Sequence, residues 1–401
     1  MSEVLSSEPA AVEPQSRYIV NPYPALARLR QNAPVSLIHS AEGLPIWIVT
    51  GYEAARAALG DPRIRQGVLQ AQALADEQVD EIHLGADVVH MLNSDPPDHT
   101  RLRQLIQSAF TPRRVLAMRP VIEQITDSLL DGISGAETAD LIPTFAFPLP
   151  MLVIGRLLGL PVEDAALFRR WSTGILTIGE QSASEDAARE MTSYLRDFLA
   201  RKRGSADDDL LMELLRMQAE GQLSEDEIVA MAFLLVIGGH ETTVNLLGTS
   251  LLALLRNPDQ LAWLRENLDR MPAVMEEFLR RDAPVSMATL RFTTEPITLG
   301  GQELAAGSFL LISLGGANRD PARFDDPDEL RLQRNDRGHL AFGHGIHRCL
   351  GAMLGKLEGE IALSRLLTRF PQLSLAVDEL DLRWRNTTML RGVETLPVHL
   401  H

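Results

Sequence analysis

The pattern of apolar and polar positions along the chain predicts a mainly helical protein. Most apolar positions recur every three or four residues, which is the spacing that places side chains on one face of an α-helix. This spacing predicts helices near residues 22–33, 51–60, 98–110, 115–131, 162–178, 185–203, 207–218, 224–256, 258–269, 272–282 and 350–369.

Shorter runs of alternating or β-branched residues predict a few strands. These runs lie between turn-forming residues at 35–38, 46–49, 291–299 and 309–314. Their number and length suit small sheets beside a helical body.

The longest predicted helix has clear ends and an unusual centre. Ser224 and Glu227 have the spacing of a capping box, and Asn257-Pro258 stops the pattern. The segment 238–245, with the sequence GGHETTVN, interrupts the apolar run between these ends. A pair of glycines costs up to about 1 kcal/mol each in a helix interior. One interpretation is a packing kink with an exposed carboxylate, and the other is a functional site on the helix.

The only cysteine, Cys349, lies in the glycine-punctuated segment 342–351, FGHGIHRCLG, where the last predicted helix begins. Gly343 and Gly345 allow backbone angles that other residues resist, so the chain can pass close to a flat ligand. The N-terminus of a helix favours a thiolate over a thiol. A lone cysteine is often only a buried small hydrophobe. The glycines, the aromatic residue seven positions before it and the adjacent basic residue indicate instead a thiolate presented to a metal.

This segment resembles the heme-ligand loop of the cytochrome P450 family. Three further stretches match the family in order and spacing: the central helix at 223–256, MEEFLRR at 275–281 and DPPDHTRLR at 95–103. The match runs from about Pro22 to the end of the chain. It implies the cytochrome P450 fold, mainly α with small β-sheets, with heme b (iron protoporphyrin IX) between the long central helix and the cysteine-ligand helix.

The resemblance also implies roles for individual residues. Cys349 would be the metal ligand, and Glu241 and Thr242 would be catalytic because they supply protons for oxygen reduction. The implied cofactor-binding residues are His99, Arg103, Gly239, Arg291, Phe342, His347, Cys349 and Gly351. The basic members of this set would hold the heme propionates, although each taken singly is an ordinary surface charge.

Two further groups of residues follow from the family pattern. Glu277 and Arg280 are three positions apart on one predicted helix face; exposed pairs of this kind are common and weak, but in the family the pair is buried and structural. The implied substrate contacts are Leu84, Leu234, Ile237, Met287 and Met389.

The activity implied is insertion of one oxygen atom from O2 into a C–H bond of a hydrophobic small molecule, as a hydroxylation or an epoxidation. The motifs resemble those of bacterial members that modify macrolides and other polyketides, which gives the first expectation for the substrate. A terpenoid or steroid hydroxylase, a peroxide-driven oxygenase and a non-catalytic heme-binding sensor are the alternatives.

Composition agrees with an ordinary soluble globular protein. Of the 401 residues, 45% are hydrophobic and 23% are charged. Length alone suggests two or three domains. We nevertheless expect a single domain at 17–401 after a mobile tail at 1–16, because no linker divides the chain and the motifs are scattered from His99 to Gly351.

Charge and cysteine usage exclude some partners. A net charge of −16 argues against nucleic-acid binding. No run of eighteen apolar residues is present and the N-terminus lacks a basic start, so we expect neither a membrane anchor nor a signal peptide. One cysteine cannot form an internal disulfide, which fits a reducing cytoplasm.

A basic stretch on this acidic chain predicts an acidic protein partner. Residues 101–119 contain five arginines and no acidic residue; the alternative is that they solvate a helix face. In the family, an acidic ferredoxin docks near the cysteine side of the heme. The resemblance therefore implies docking near Arg103, Arg113, Arg114 and Arg348, with a ferredoxin reductase as the electron source. We expect the enzyme itself to be a monomer.

Overall fold

The computed structural model describes residues 17–40, 42–79, 88–177 and 181–401. The expected mobile tail at 1–16 and the predicted substrate contact Leu84 lie outside these residues. The chain forms two compact units. Among the described residues, unit 1 comprises those within 17–99, 276–349 and 388–391, and unit 2 comprises those within 100–275, 350–387 and 392–401. The expectation of a single domain stays a prediction.

Helices account for most of the described chain, in agreement with the predicted fold class. Their bounds are α1 (Arg17–Val20), α2 (Tyr23–Asn32), α3 (Tyr52–Gly60), α4 (Val68–Asp76), α5 (Asp98–Ile106), α6 (Pro112–Ala117), α7 (Arg119–Ile133), α8 (Pro148–Leu158), α9 (Ala165–Leu176), α10 (Gln181–Lys202), α11 (Leu210–Ala219), α12 (Glu225–Leu255), α13 (Pro258–Glu266), α14 (Met271–Arg281), α15 (Leu314–Ala317) and α16 (Ala352–Arg369).

The strands are short and form small sheets. Their bounds are β1 (Val35–His39), β2 (Pro45–Val49), β3 (Ile64–Arg65), β4 (Thr138–Asp140), β5 (Arg291–Thr293), β6 (Ile297–Leu299), β7 (Gln302–Leu304), β8 (Phe309–Ile312), β9 (Ser374–Leu375) and β10 (Pro397–His399).

Unit 1 is built around a five-stranded sheet with the order β1-β2-β8-β5-β3. The pair β2–β8 is parallel and the other pairs are antiparallel. Alternate residues point to opposite faces, so Ile46 and Ile48 join one buried cluster while Val49 and Ile312 join another. Arg291 begins β5 and pairs with Leu310 of β8, which fixes its position on the sheet.

Unit 2 is built around α12, which packs against α8, α10 and α16. The predicted capping box is present: the Ser224 hydroxyl accepts from the Glu227 N–H at 3.1 Å, and the Glu227 carboxylate accepts from the Ser224 N–H at 2.8 Å. A small sheet with the order β4-β10-β9 completes the unit.

Judged by length and composition alone, helix α12 is long and apolar enough to span a membrane. However, 72% of its most apolar window is buried inside the protein. Core helices of globular proteins pass the same test, so α12 is weak evidence for a span.

Proline explains the main differences from the predicted elements. The helix predicted at 115–131 is divided into α6 and α7, with Pro120 in the first turn of α7, where its missing N–H is tolerated. The strand predicted at 291–299 is divided into β5 and β6, because Pro296 lies in the interruption. Helix α8 was missed, because the prolines before and within its first turn obscure the helical pattern.

Candidate functional site

Cys349 comes at the end of a loop in unit 1 that is held by backbone hydrogen bonds. Cys349 itself is exposed. Its backbone N–H donates to the Phe342 carbonyl at 2.8 Å. Gly343 and Gly345 have φ of +69° and +74°, angles that favour glycine. A Cβ on Gly345 would lie 2.4 Å from the Leu59 carbonyl oxygen. Gly345 is therefore required both by its backbone angle and by the closeness of α3.

A chain of hydrogen bonds connects this loop to the predicted ion pair. Arg280 donates to both carboxylate oxygens of Glu277, at 2.7 and 2.9 Å, and to the Asn318 carbonyl at 3.0 Å. The Asn318 side-chain oxygen accepts from the Leu340 N–H at 2.6 Å, and the Leu340 carbonyl accepts from the Gly343 N–H at 2.8 Å. The buried pair thus holds the segment that leads to Cys349.

Three of the predicted basic contacts lie in unit 1. The rings of His99 and His347 are in contact, with 4.1 Å between centroids. Arg291 is 4% exposed, and its Nε has no hydrogen-bond partner among the described residues. Burial lowers the pKa of Arg291 to about 10, although the nearby Asp95 acts in the opposite direction. A buried cation of this kind favours an anionic partner.

The donor set of unit 1 fits a heme. The loop offers one sulfur ligand, Cys349, at an exposed position. The Arg291 nitrogen, which the described residues leave without a hydrogen-bond partner, fits a carboxylate such as a propionate.

Unit 2 presents one partly exposed face of α12. Leu234, Ile237 and Thr242 are half-buried and Gly238 is exposed, in a part of the helix that is otherwise mostly buried. Counted from Leu234, these positions are i, i+3, i+4 and i+8, which lie on one side of a helix. This face therefore combines apolar side chains, an uncovered backbone position and a hydroxyl.

Gly238 and Gly239 have different surroundings in the structure. A Cβ on Gly239 would lie 2.8 Å from the Ile154 side chain of α8, whereas a Cβ on Gly238 would have nothing within 4 Å. Gly239 therefore permits close packing against α8, and its role in cofactor binding stays a prediction. Gly238 is the more exposed of the two glycines.

Glu241 lies at the centre of a buried polar network in unit 2. It is 2% exposed. One carboxylate oxygen accepts from the Ser172 hydroxyl of α9 at 2.9 Å and lies 3.3 Å from His240 Nε2, and the other accepts from Arg385. Burial by itself raises the pKa of Glu241, but the hydrogen bond from His240 and the charge of Arg385 outweigh it and lower the pKa to about 2. The carboxyl is therefore ionised at neutral pH.

Thr242 follows Glu241 and is bonded differently. Its hydroxyl donates to the Gly238 carbonyl at 2.9 Å, one helical turn back. This bond orients the oxygen of the hydroxyl and keeps it on the partly exposed face of α12.

Sequence reasoning missed the partners of Glu241 and one buried carboxyl. Glu358 of α16 is 1% exposed, and its Oε2 has no partner among the described residues. Burial raises the pKa of Glu358 to about 8, so it is largely neutral at pH 7. The sequence did contain a signal for the burial of Glu358, because this residue lies on the same helix face as the apolar residues Leu354 and Ile361. No sequence spacing could have brought Arg385 to Glu241, which is 144 positions away.

The remaining predicted site residues are placed as follows. Arg103 is half-buried on α5, one turn after His99, and Gly351 is the N-cap residue of α16. The Phe342 ring is half-buried beside His339. Met389 is 39% exposed.

Met287, a predicted substrate contact, lies in the core of unit 1. Met287 is 2% exposed and packs in a core cluster of unit 1 with Phe292 and Phe309. Its position beside the sheet makes it a core residue, and the substrate contact stays a prediction.

The predicted basic patch is partly neutralised within the chain. Arg114 donates to Glu213 at 2.8 Å and Arg119 donates to Glu360 at 2.8 Å. Arg101 forms an ion pair with Glu227. These acidic partners are distant in sequence, so a count of charges along 101–119 overstated the net positive charge.

Comparison with known proteins defines the class. The family model described as Cytochrome P450 matches residues 175–381. The chain is 46% identical over 380 residues to cytochrome P450 107B1 of Saccharopolyspora erythraea, covering 93% of each sequence. It is 42% identical over 389 residues to 6-deoxyerythronolide B hydroxylase of the same organism, covering 94% of this chain and 96% of that one.

A solved structure of a P450 monooxygenase also resembles this chain over nearly its whole length. The tirandamycin C-bound P450 monooxygenase TamI superposes with a TM-score of 0.90 at 42% identity, covering 98% of this chain and 100% of that one. The chain therefore belongs to the cytochrome P450 family, and the predicted family and fold are confirmed.

Within that family it is a heme b-dependent monooxygenase related to bacterial enzymes that tailor macrolides and polyketides. Such an enzyme uses O2, a hydrophobic substrate and a redox partner.

Proposed function

We propose that this enzyme hydroxylates or epoxidises a macrolide or another polyketide, with electrons from a ferredoxin and its reductase. The observation that carries the proposal is the Cys349 loop with its hydrogen-bonded support from Glu277 and Arg280. The relatives support the substrate class, since one is named for 6-deoxyerythronolide B and one is bound to tirandamycin C.

Residues of unit 1 are proposed to hold the heme. Cys349 is the thiolate ligand, and the loop backbone keeps its sulfur in place. Arg291, His99 and His347 are the propionate partners, because they are basic and the buried Arg291 has a nitrogen with no hydrogen-bond partner in the described part of the chain. When bound, the heme supplies the activation of oxygen.

Residues of unit 2 are proposed to control protons. The Thr242 hydroxyl holds a hydrogen-bonding position on the partly exposed face of α12, next to Gly238. Glu241 is the carboxyl group that draws protons from water and passes them on. The same face carries Leu234 and Ile237, which we propose as apolar substrate contacts, and in unit 1 the exposed Met389 is another.

The electron donor is proposed to be an acidic ferredoxin that docks on basic residues. Arg103 and Arg113 of unit 2 support this, although the pairing of Arg114 with Glu213 reduces its contribution. Arg348 is exposed in unit 1. We propose further that the enzyme acts as a cytoplasmic monomer.

The first experiment is the absorption spectrum of the purified protein reduced under carbon monoxide. A strongly red-shifted Soret band that Cys349→Ser abolishes supports thiolate ligation. A band at the position typical of histidine ligation in the parent protein would overturn it.

The substrate class is tested with the ferric protein. Polyketide lactones and steroids are titrated while the spin state of the iron is followed, and bound compounds are then incubated with O2 and a ferredoxin system. Oxygenated polyketide supports the proposal. Turnover of steroids alone, turnover with peroxide alone, or heme binding without turnover would each favour the corresponding alternative.

A further inference from the structure

The turn at 388–391 belongs to unit 1, although the chain on both sides of it belongs to unit 2. Its backbone is paired with the segment that follows α14. The Ser286 N–H donates to the Met389 carbonyl at 2.7 Å, and the Arg391 N–H donates to the Pro284 carbonyl at 2.9 Å. These bonds fix one side of the turn, and Met389 itself is 39% exposed.

The Arg391 side chain joins this turn to helix α1. Its guanidinium donates to the Ile19 carbonyl at 3.3 Å and to the Val20 carbonyl at 3.0 Å. Carbonyls at the C-terminus of a helix have no partner within that helix. Arg391 is 7% exposed, so it caps α1 from a buried position. The turn is therefore held on a second side by Val20, which is 371 positions away from Arg391 in sequence.

Asp282 keeps the Arg391 guanidinium in place. Its Oδ1 accepts from Arg391 Nε at 3.3 Å and from the Tyr23 hydroxyl at 3.1 Å. Burial by itself raises the pKa of Asp282, but the charges of three arginines outweigh it and lower the pKa below its ordinary value. Arg281 and Arg319 also pair with Asp282, at 2.6 and 3.3 Å. A neutral residue at position 391 therefore does not leave this carboxylate unpaired.

We propose that Arg391 is a positioning residue for substrate selection, because it sets the position of Met389 by holding the turn against α1. The pairing with 284–287 fixes one side of the turn, and the Arg391 side chain fixes the other. Helix α1 is thereby part of the support of the substrate site, although it supplies none of the predicted substrate contacts. This inference rests on the proposed role of Met389 as a substrate contact.

The test compares Arg391→Met and Arg391→Lys with Arg281→Met in the full-length holoenzyme. Arg281→Met is the matched control, because within the described residues Arg281 bonds to Asp282 and to the Asp328 carbonyl rather than to α1. Lysine at position 391 keeps the charge but cannot reproduce the planar set of donations.

The first readout is amide hydrogen exchange, followed by mass spectrometry in peptides that contain α1 and in peptides that contain the turn. In Arg391→Met, exchange should be faster by about threefold or more in both peptides, because their shared attachment is lost. Arg281→Met should match the parent protein in both. Unchanged exchange of either peptide in Arg391→Met would overturn the connection between α1 and the turn.

The second readout is the affinity of the ferric protein for two nitrogen ligands of the heme iron, imidazole and the bulky apolar clotrimazole. The affinity for imidazole reports mainly on the iron, whereas the affinity for clotrimazole also depends on the apolar wall of the site. The ratio of clotrimazole to imidazole affinity should fall by about threefold or more in Arg391→Met, with partial rescue in Arg391→Lys. An unchanged ratio, or an equal fall in Arg281→Met, would overturn the role in selection.

The same titrations in a Met389→Ala background show whether Arg391 acts through Met389. Arg391→Met should then change the affinity ratio much less than in the parent background, because the effects of coupled residues are not additive. Equal changes in the two backgrounds would overturn the positioning role. Neither readout requires turnover, so a protein that oxygenates no polyketide would overturn the proposed function while these results still decide the role of Arg391.

Discussion

Arg280 and Glu277 form a bidentate ion pair in which neither side chain is more than 1% exposed. Three further donations from Arg280 go to the carbonyls of Asn318, Pro327 and Glu329. Since Asn318 also accepts from Leu340, the pair stabilises the segment that ends at Cys349.

We predict that Arg280→Lys lowers the free energy of unfolding by about 3 kcal/mol, because lysine cannot reproduce the planar set of donations and leaves buried acceptors unpaired. The measurement is denaturant unfolding of the holoenzyme. The control is Arg63→Lys, since Arg63 pairs with Asp61 at the surface and is 46% exposed; exposed pairs contribute little, so a much smaller loss is expected. Equal losses in the two variants would contradict the prediction.

Gly345→Ala should weaken heme retention. A non-glycine residue at positive φ costs about 1–2 kcal/mol, and here the added Cβ also meets the Leu59 carbonyl. Gly301→Ala is the control, because Gly301 has φ of +81° with nothing within 4 Å of its Cβ position. Thermal unfolding and heme transfer to an acceptor protein should show a clearly larger effect at Gly345. If Gly301→Ala costs as much, the contact with Leu59 is unimportant.

Arg291→Met should have opposite effects on the apoprotein and the holoenzyme. Removing an incompletely paired buried cation should stabilise the apoprotein by about 1–3 kcal/mol, whereas losing a propionate partner should speed heme release. Unfolding of the apoprotein and heme transfer measure the two effects separately. Destabilisation of the apoprotein would mean that Arg291 is already satisfied within the chain.

Thr242→Ala should divert electrons from product to peroxide, with product per electron falling several-fold. Thr249→Ala is the matched control, because the Thr249 hydroxyl makes the same one-turn bond to the Asn245 carbonyl, at 2.7 Å, at a buried position. Thr249→Ala should lower stability without changing the product formed per electron. Thr242→Ser should restore the product yield that Thr242→Ala loses. An unchanged product yield in Thr242→Ala would remove this residue from the proposed proton supply.

Glu358 should make the protein less stable as the pH rises. Its pKa is about 8 in the folded protein against an ordinary value of 4.5, so between these values the folded form holds a proton that the unfolded form has lost. The free energy of unfolding therefore falls across this window and levels off above pH 8. At pH 8, Glu358→Gln should be more stable than the parent by about 2–4 kcal/mol, with little difference at pH 4.5.

Glu360→Gln is the control for Glu358, because Glu360 is partly exposed and accepts from Arg119. Denaturant unfolding at several pH values distinguishes the Glu358→Gln variant from the Glu360→Gln variant. A Glu358→Gln variant with the parent's pH dependence would show that Glu358 has a partner in solution.

The features that were predictable from sequence depend on short-range spacing. The Ser224–Glu227 cap, the extent of α12 and the position of Cys349 before α16 follow from residues a few positions apart. The partners of Glu241 do not, because Ser172 and Arg385 come from elements far away in sequence. Gly238 and Gly239 differ only by one step around a helix, and only packing against Ile154 distinguishes them.

The interleaving of the two units also has a consequence for synthesis on the ribosome. Unit 1 requires residues 276–349 and unit 2 requires residues 350–387, so neither unit is complete until most of the chain has been translated. Residues 17–99 must wait for partners that are made much later, and their apolar surfaces are exposed meanwhile. We therefore expect nascent chains that stop before Cys349 to depend on chaperones, and heme loading to follow translation.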